Sequence, residues 1–173
     1  GINGTGISNL TGNAGYPNSP TGSDTLDRLE AVDWNNSSVT KNWAESYGQR
    51  IRGYIVPEIS GSYSFLIAGD DSCELWLSTD SDPANASRIA YINGWSPQYS
   101  FTQLGGGSSG QQQSAPVTLV AGQAYYVEVV HKEGGGGDNV SVAWSTNSTI
   151  TPTQADIVPG SVLSAYSAGV PNA

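Results

Sequence analysis

Four stretches of this chain alternate apolar and polar side chains with a period of two, and that rhythm commits it to β-structure. Ser62 to Ala68 sets Tyr63, Phe65 and Ile67 against Ser62 and Ser64. Cys73 to Ser78 sets Cys73, Leu75 and Leu77 against Glu74 and Trp76. Ala124 to Lys132 opposes Tyr125, Val127, Val129 and His131 to Tyr126, Glu128 and Val130, and Val140, Val142 and Trp144 then oppose Ser141, Ala143 and Ser145. Successive side chains of a strand point to opposite faces, so each stretch is a strand with one face for a core. Arg50 to Val56, Arg88 to Ile92 and Pro116 to Val120 read as further strands. Ser60-Gly61 is a turn signal that makes 50–56 and 62–68 hairpin partners, and the glycine run after Lys132 predicts a second hairpin closing over the core.

The segments between are long. Residues 1–25 are rich in Gly, Asn, Ser and Thr and read as an irregular arm. Leu26 to Trp34 is expected to make a helical turn, with Trp34 and Trp43 anchoring a polar loop. Gly94 to Gly110 is a long loop holding Trp95, Tyr99 and Phe101. The tail, 146–173, is polar but carries the apolar run Ile157 to Leu163, which is expected to pack on the core. The expectation is one all-β domain over residues 1–173, an antiparallel β-sandwich with long loops.

Charge narrows the partners. Six Lys and Arg stand against 15 Asp and Glu, a formal net charge of −9. No basic stripe exists to neutralise phosphates, which argues against nucleic acid. No apolar run approaches the roughly 20 residues of a membrane span, so no membrane insertion is expected. Cys73 has no second cysteine to pair with and, in an apolar strand pattern, reads as an inert core thiol. The chain starts at Gly1, without Met or a signal peptide, and reads as a monomeric module excised from a multidomain protein.

Two loops carry the chemistry. Asp70 and Asp71 follow one strand, and Glu133-Gly134-Gly135-Gly136-Gly137-Asp138-Asn139 follows another. Calcium takes six to eight oxygens from carboxylates, carbonyls and waters. Adjacent aspartates on an ordinary strand point apart, whereas a cis peptide between them turns both carboxylates to one side. Glycines admit positive φ, so the Gly135 and Gly137 carbonyls can turn inward, with Asp138 adding a carboxylate or Asn139 an amide oxygen. The competing reading is two ordinary connectors, since Asp-Asp and Gly-rich turns are common. The order Asp-x-Asp-x-Asp-Gly of an EF-hand is absent, as is the Gly-Lys-Ser/Thr of a phosphate loop.

The chain also resembles a known family, the PA-fourteen domain, named for the N-terminal module of anthrax protective antigen. The matching stretches are Tyr47-Gly48-Gln49-Arg50-Ile51-Arg52-Gly53-Tyr54, Gly61-Ser62-Tyr63-Ser64-Phe65 and Asp70-Asp71-Ser72-Cys73-Glu74-Leu75-Trp76-Leu77. Gln113-Ser114-Ala115-Pro116, Ala121 to Tyr126, and His131-Lys132-Glu133 through Asp138-Asn139 to Trp144 follow in order. The resemblance implies a β-sandwich. In the lectin branch, which includes yeast flocculins and bacterial adhesin modules, it implies a cis Asp-Asp pair at a calcium site completed from a second loop. Asp70 and Asp71 match that pair. The second loop varies within the family, so Gly135, Gly137 and Asp138 are a looser transfer and Asn139 looser still.

The functional expectation is a calcium-dependent lectin module of an extracellular or cell-surface protein, binding terminal sugars with vicinal hydroxyls such as fucose, mannose or glucose types. Trp95, Gln98 and Tyr99 are candidates for the wall of the sugar site, with loop anchoring as their competing role. The alternative is a structural or protein-docking module in which calcium only rigidifies the loops. Catalysis is not expected: a glycosidase needs two carboxylates about 5–9.5 Å apart across a cleft, and the single His, His131, ends a strand pattern on an apolar face.

Overall fold

The structure is a computed structural model and describes residues 1–31, 44–147, 149 and 151–167. Among the described residues there are ten strands: β1 (Glu30–Ala31), β2 (Tyr47–Ile55), β3 (Gly61–Asp70), β4 (Cys73–Leu77), β5 (Ser87–Asn93), β6 (Ser109–Gln111), β7 (Val117–Leu119), β8 (Tyr125–Glu133), β9 (Asn139–Ser145) and β10 (Leu163–Ala165). They form a four-stranded sheet in the order β1-β9-β3-β7 and a six-stranded sheet in the order β10-β2-β8-β4-β5-β6. Every strand pairing is antiparallel. Among the described residues no helix is long and apolar enough to cross a membrane.

The alternating residues meet between the sheets. Phe65, Ile67 and Val142 belong to one core cluster with Ile55, Leu75, Val127, Val129 and Ile92. Each such side chain taken out of water contributes about 1.5–3 kcal/mol. Cys73 lies fully buried in the same cluster, and burial pushes its thiol pKa up, which removes it as a nucleophile. A second, smaller cluster of Leu66, Ala68, Ala143, Phe101 and Ile157 covers the other face of the four-stranded sheet. There the 94–110 loop and the C-terminal segment lie over β3 and β9, so β3 is buried on both faces from Tyr63 to Gly69.

Both expected hairpins are corrected. β2 and β3 lie in different sheets, and so do β8 and β9. A strand has two edges, and those of β8 are filled by β2, in register from Tyr47↔Glu133 to Ile55↔Tyr125, and by β4. The edges of β3 are filled by β7 and β9. The turn signals at Pro57–Ser60 and Gly134–Asp138 therefore carry the chain from one sheet to the other. The expected helical turn at 26–34 is also corrected for its described part. Leu29 is buried, and Glu30–Ala31 pairs with Val140 and Ser141 as β1. Trp34 and Trp43 lie outside the described residues. The irregular arm contains one short helix, Ile7–Thr11, whose start is tied by the Asn9 Oδ1 acceptor for the Gly6 N–H at 3.1 Å.

This topology positions the two loops. Asp70-Asp71-Ser72 takes the chain from β3 in one sheet to β4 in the other, and Gly134–Asp138 takes it from β8 to β9 in the reverse direction. β3 pairs with β9 with Asp70 opposite Asn139, and β4 pairs with β8 with Cys73 opposite His131. The two crossings consequently lie side by side at one end of the sandwich.

Candidate functional site

The Asp70–Asp71 peptide is cis. Its surroundings hold it from several directions. The Asp70 carbonyl meets His131 Nε2 at 2.7 Å, while His131 Nδ1 lies 2.8 Å from Gln49 Nε2. A carbonyl only accepts, so Nε2 carries the proton and Nδ1 accepts from the Gln49 amide; the neutral ring satisfies both bonds. Burial is also what lowers the His131 pKa, to about 4. The Asp71 N–H donates to Glu133 Oε2 at 2.9 Å, and Asp71 Oδ2 accepts the Gly134 N–H at 2.9 Å. One carboxylate oxygen from each of Asp70, Asp71 and Glu133 then lies within 4.8 Å of the others.

Bringing three acids together out of water disfavours their ionised forms. Burial, then the Asp71 and Asp138 charges, push Asp70 up to about 7. Glu133 is likewise pushed up to about 7, by burial first and then by Asp71 and Asp70. Asp71 is raised by burial, against the pull of the Gly134 N–H and of Lys132. Lys132 is fully buried beside them, but its ammonium donates to the backbone carbonyl of Glu133. Two oxygens at this end, Glu133 Oε1 and Asn139 Oδ1, are buried without a hydrogen-bond partner. Orphaned buried acceptors of this kind need an explanation, and an ion is one of the few available. The donors are oxygen throughout, carboxylates and an amide, which suits a hard divalent cation.

The second loop is organised differently from the sequence expectation. Asp138 is buried, and its Oδ2 accepts the Tyr47 hydroxyl at 3.0 Å and the Ala44 N–H at 3.2 Å. It acts on Asp70 through its charge, and the third carboxylate of the tight cluster is Glu133 instead. Gly134 turns its carbonyl to Ser46, accepting from its N–H at 3.0 Å and its hydroxyl at 3.2 Å. Gly136 is the residue at positive φ, 114°, and its N–H donates to the Glu45 carboxylate. A Cβ on Gly135 would come within 2.6 Å of Glu45 Oε2. Gly135 is exposed and Gly137 half-buried.

The expected wall residues divide. The Ser96 N–H donates to the Gly69 carbonyl at 2.7 Å and Ser96 Oγ accepts the Gly69 N–H at 3.0 Å, which pins the start of the 94–110 loop beside Asp70. Trp95, next in chain, is 39% exposed, and its indole lies so close over Gly105 that a Cβ there would clash at 2.1 Å. Gln98 is half-buried. Tyr99 is a loop anchor. Its hydroxyl donates to Glu30 Oε1 at 2.6 Å and accepts from Gln154 Nε2 at 2.9 Å, and its ring packs on the Leu66–Phe101 cluster.

Glu133 is the site residue that sequence reasoning passed over. It follows the last alternating residue and opens the glycine run, so it reads as the end of a strand. Only the β2–β8 and β4–β8 registers place it opposite the Asp70-Asp71 crossing.

The PA14 domain family model matches residues 3–157. A mouse protein, N-acetyl-beta-glucosaminyl-glycoprotein 4-beta-N-acetylgalactosaminyltransferase 1, is 33% identical over 146 residues, covering 82% of this chain but 13% of that protein. An anti-sigma factor domain-containing protein from Clostridium clariflavum superposes with a TM-score of 0.54 at 22% identity, over 87% of this chain and 43% of that one. The A domain of epithelial adhesin 6 from Candida glabrata, solved in complex with Galβ1-3GlcNAc, superposes with a TM-score of 0.50 at 17% identity, over 70% of this chain and 52% of that one. At these identities the two structural likenesses speak for the shared β-sandwich.

Proposed function

This chain belongs to the PA14 domain family, and on that premise we propose that it is a calcium-dependent carbohydrate-binding module of a larger extracellular or cell-surface protein. One observation carries the reading: Asp70, Asp71 and Glu133 converge within 4.8 Å with no Lys or Arg salt bridge to any of them among the described residues. Asp70, Asp71 and Glu133 hold the ion, with the orphaned Asn139 Oδ1 as a further donor. Asp138 and the carbonyls of Gly135 and Gly137 are candidates for completing the set.

An ion held by these residues would supply Lewis-acid positions for two vicinal sugar hydroxyls. The residues of the chain do the rest. Asp70 and Asp71 accept hydrogen bonds from those hydroxyls. His131, Gln49 and the Gly134 N–H fix the two aspartates in place, so little freedom is lost on binding. Trp95, partly exposed and adjacent in chain to the Ser96 that is bonded to Gly69, is a candidate for stacking on a sugar ring, and Gln98 offers an amide. Fucose-, mannose- and glucose-type ends are candidates. The Galβ1-3GlcNAc bound by the Candida adhesin adds galactose-ended glycans to the panel. A single site of this kind is weak, and adhesion would draw on many copies.

The module is read as non-catalytic. The three acids are bunched around one point instead of facing each other across a cleft, and His131 is buried, neutral and bonded through both nitrogens. The glycosyltransferase activity named for the mouse relative belongs to a protein of which this chain spans 13%. A second reading has an observation of its own. The 44–46 segment and the N-terminal arm at Gly4 and Thr5 both close on the glycine run, so an ion here would also tie three segments together as a rigid protein-docking tip.

A glycan array probed with the domain in calcium, in chelator, and as Asp70→Ala separates the readings. Calcium-dependent binding to glycans sharing one diol geometry, lost in the variant, is the expected result. Calcium uptake with no glycan bound under any condition would sink the lectin reading and leave the docking tip.

A further inference from the structure

Away from the acid cluster, the outer face of the six-stranded sheet holds a cleft of about 270 Å³. Arg50 of β2, Tyr126 and Glu128 of β8, Glu74 and Trp76 of β4, and Tyr16 of the N-terminal arm line it. Register puts them on one face: Arg50 stands opposite Val130, Glu74 opposite Val130 from the other side, and Trp76 opposite Glu128. Arg52 and Arg88 flank the cleft, over the rings of Tyr166 and Tyr91. Three of the six Lys and Arg residues of this acidic chain are thus gathered on one sheet face.

The polar groups of the cleft are already locked. Arg50 Nη2 donates to Glu128 Oε2 at 2.7 Å, and the Tyr126 hydroxyl donates to the same carboxylate. Arg88 Nη1 donates to Glu74 Oε1 at 2.6 Å, and the Trp76 indole N–H donates to Glu74 Oε2 at 3.0 Å. One strong donor is left over: Arg50 Nε is buried and has no hydrogen-bond partner. An anion entering this cleft meets Glu74 and Glu128, and a cation meets Arg50 and Arg88. A neutral polyol finds donors and acceptors together, with aromatic faces for its C–H groups. The volume lies just under the roughly 300–1,000 Å³ of drug-sized pockets, enough for one ring.

We propose that this cleft is a second carbohydrate subsite that takes a single neutral pyranose ring without any metal. The ring stacks on Trp76 and Tyr16, and its hydroxyls bond to Arg50 and to the carboxylates of Glu74 and Glu128. Glu74 and Glu128 belong to no metal-spaced cluster among the described residues, so binding here does not respond to chelator. The inference is independent of calcium at the loop end, and a chain with two such sites could engage two units of a branched or repeating glycan at once.

The test is saturation-transfer NMR with methyl glycosides of galactose, glucose, mannose and N-acetylglucosamine, all in excess chelator. At least one should receive saturation, unchanged in Asp70→Ala and about tenfold weaker in Trp76→Ala, with Trp76→Phe recovering part of the loss. Tyr16→Ala, on the arm and outside the sheet, should weaken it too, and amide spectra of each variant confirm the fold. No binding of any glycoside in chelator, binding that is lost in Asp70→Ala, or binding indifferent to both Trp76→Ala and Tyr16→Ala would each overturn the proposal. Loss of the calcium-dependent binding alone would leave it standing.

Discussion

Carboxylates on the sheets and carboxylates at the loop end are treated in opposite ways. Glu30, Glu74 and Glu128 each have an arginine partner: Arg28, Arg88 and Arg50. Asp71 and Glu133 each accept one backbone N–H, and the two stand with Asp70 in one cluster. The first group is neutralised within the chain, so its job is structural or, in the cleft, the display of a fixed polar array. The second group has no salt-bridge partner among the described residues, only the nearby charge of Lys132, and burial raises the pKa of all three acids. In a chain with so few cations to distribute, the acids that form no salt bridge among the described residues are informative.

Removing an acid from the loop end should have the largest effect. Asp70→Ala and Glu133→Gln are each expected to weaken calcium binding at least about a hundredfold in calorimetric titration, since each takes away one of few charged ligands. Asp138→Asn should cost less, because the Asp138 Oδ2 is engaged with Tyr47 and Ala44. If Asp138→Asn proves the more damaging, the assignment of Glu133 as the third carboxylate fails.

Calcium itself should stabilise the fold. At a hundredfold excess over Kd the gain is about 2.7 kcal/mol, or roughly 5–10 °C in Tm for a chain of this size. Its pH dependence has a definite sign. Asp70 and Glu133 are raised from 3.8 and 4.5 to about 7 in the metal-free fold. Between about 4 and 7 the folded state therefore holds protons that the unfolded state has lost, and this part of the stability falls as pH rises. His131, lowered from 6.5 to about 4, works the other way: its contribution is present above 6.5 and is lost as pH falls towards 4. Two carboxyls against one imidazole leave the metal-free protein less stable at pH 7.5 than at pH 5. Binding calcium requires both protons to leave, so the calcium increment in Tm should be larger at pH 7.5 than at pH 5. Equal increments at the two pH values would show that these carboxyls do not hold the ion.

Tyr99→Phe sharpens the contrast from the other side. Loss of the bond to buried Glu30 should cost about 1–3 kcal/mol in chemical denaturation, with calcium and glycan binding unchanged. Arg88→Ala, which breaks a half-exposed pair with Glu74, should cost under about 1 kcal/mol. Comparable losses from both would mean that the buried and exposed pairs are not distinguished as described.

Much of this was readable one strand at a time. Alternation located β3, β4, β8 and β9 within a residue or two, since a pleated strand with one buried face cannot hide its period. The Asp70-Asp71 pair stood out because it closes an apolar strand pattern and matches the acid pair that the PA-fourteen resemblance implies; adjacent acids alone would also fit an ordinary turn. Partner choice was not legible. Turn residues such as Ser60-Gly61 and the glycine run mark a reversal of the chain, but the reversal can return to the same sheet or cross to the facing one with identical local chemistry. Tyr99 illustrates the same limit on a smaller scale: an aromatic residue in a long loop reads equally as a wall of a site or as an anchor until Glu30, 69 residues earlier, closes on its hydroxyl.

The sequence by itself determined that this chain is all-β, that Cys73, Phe65 and Val129 face a core, and that the acidic chemistry lies at Asp70-Asp71 and around the glycine run. Only the tertiary structure decided that both connections are sheet-to-sheet crossings at the same end, which is what sets Glu133 against Asp71 and gathers Arg50, Trp76 and Glu128 into a cleft. The reason is physical: side-chain periodicity is encoded over a few neighbouring residues, whereas which strand fills which edge is settled by competition among all the strands for a limited number of edges.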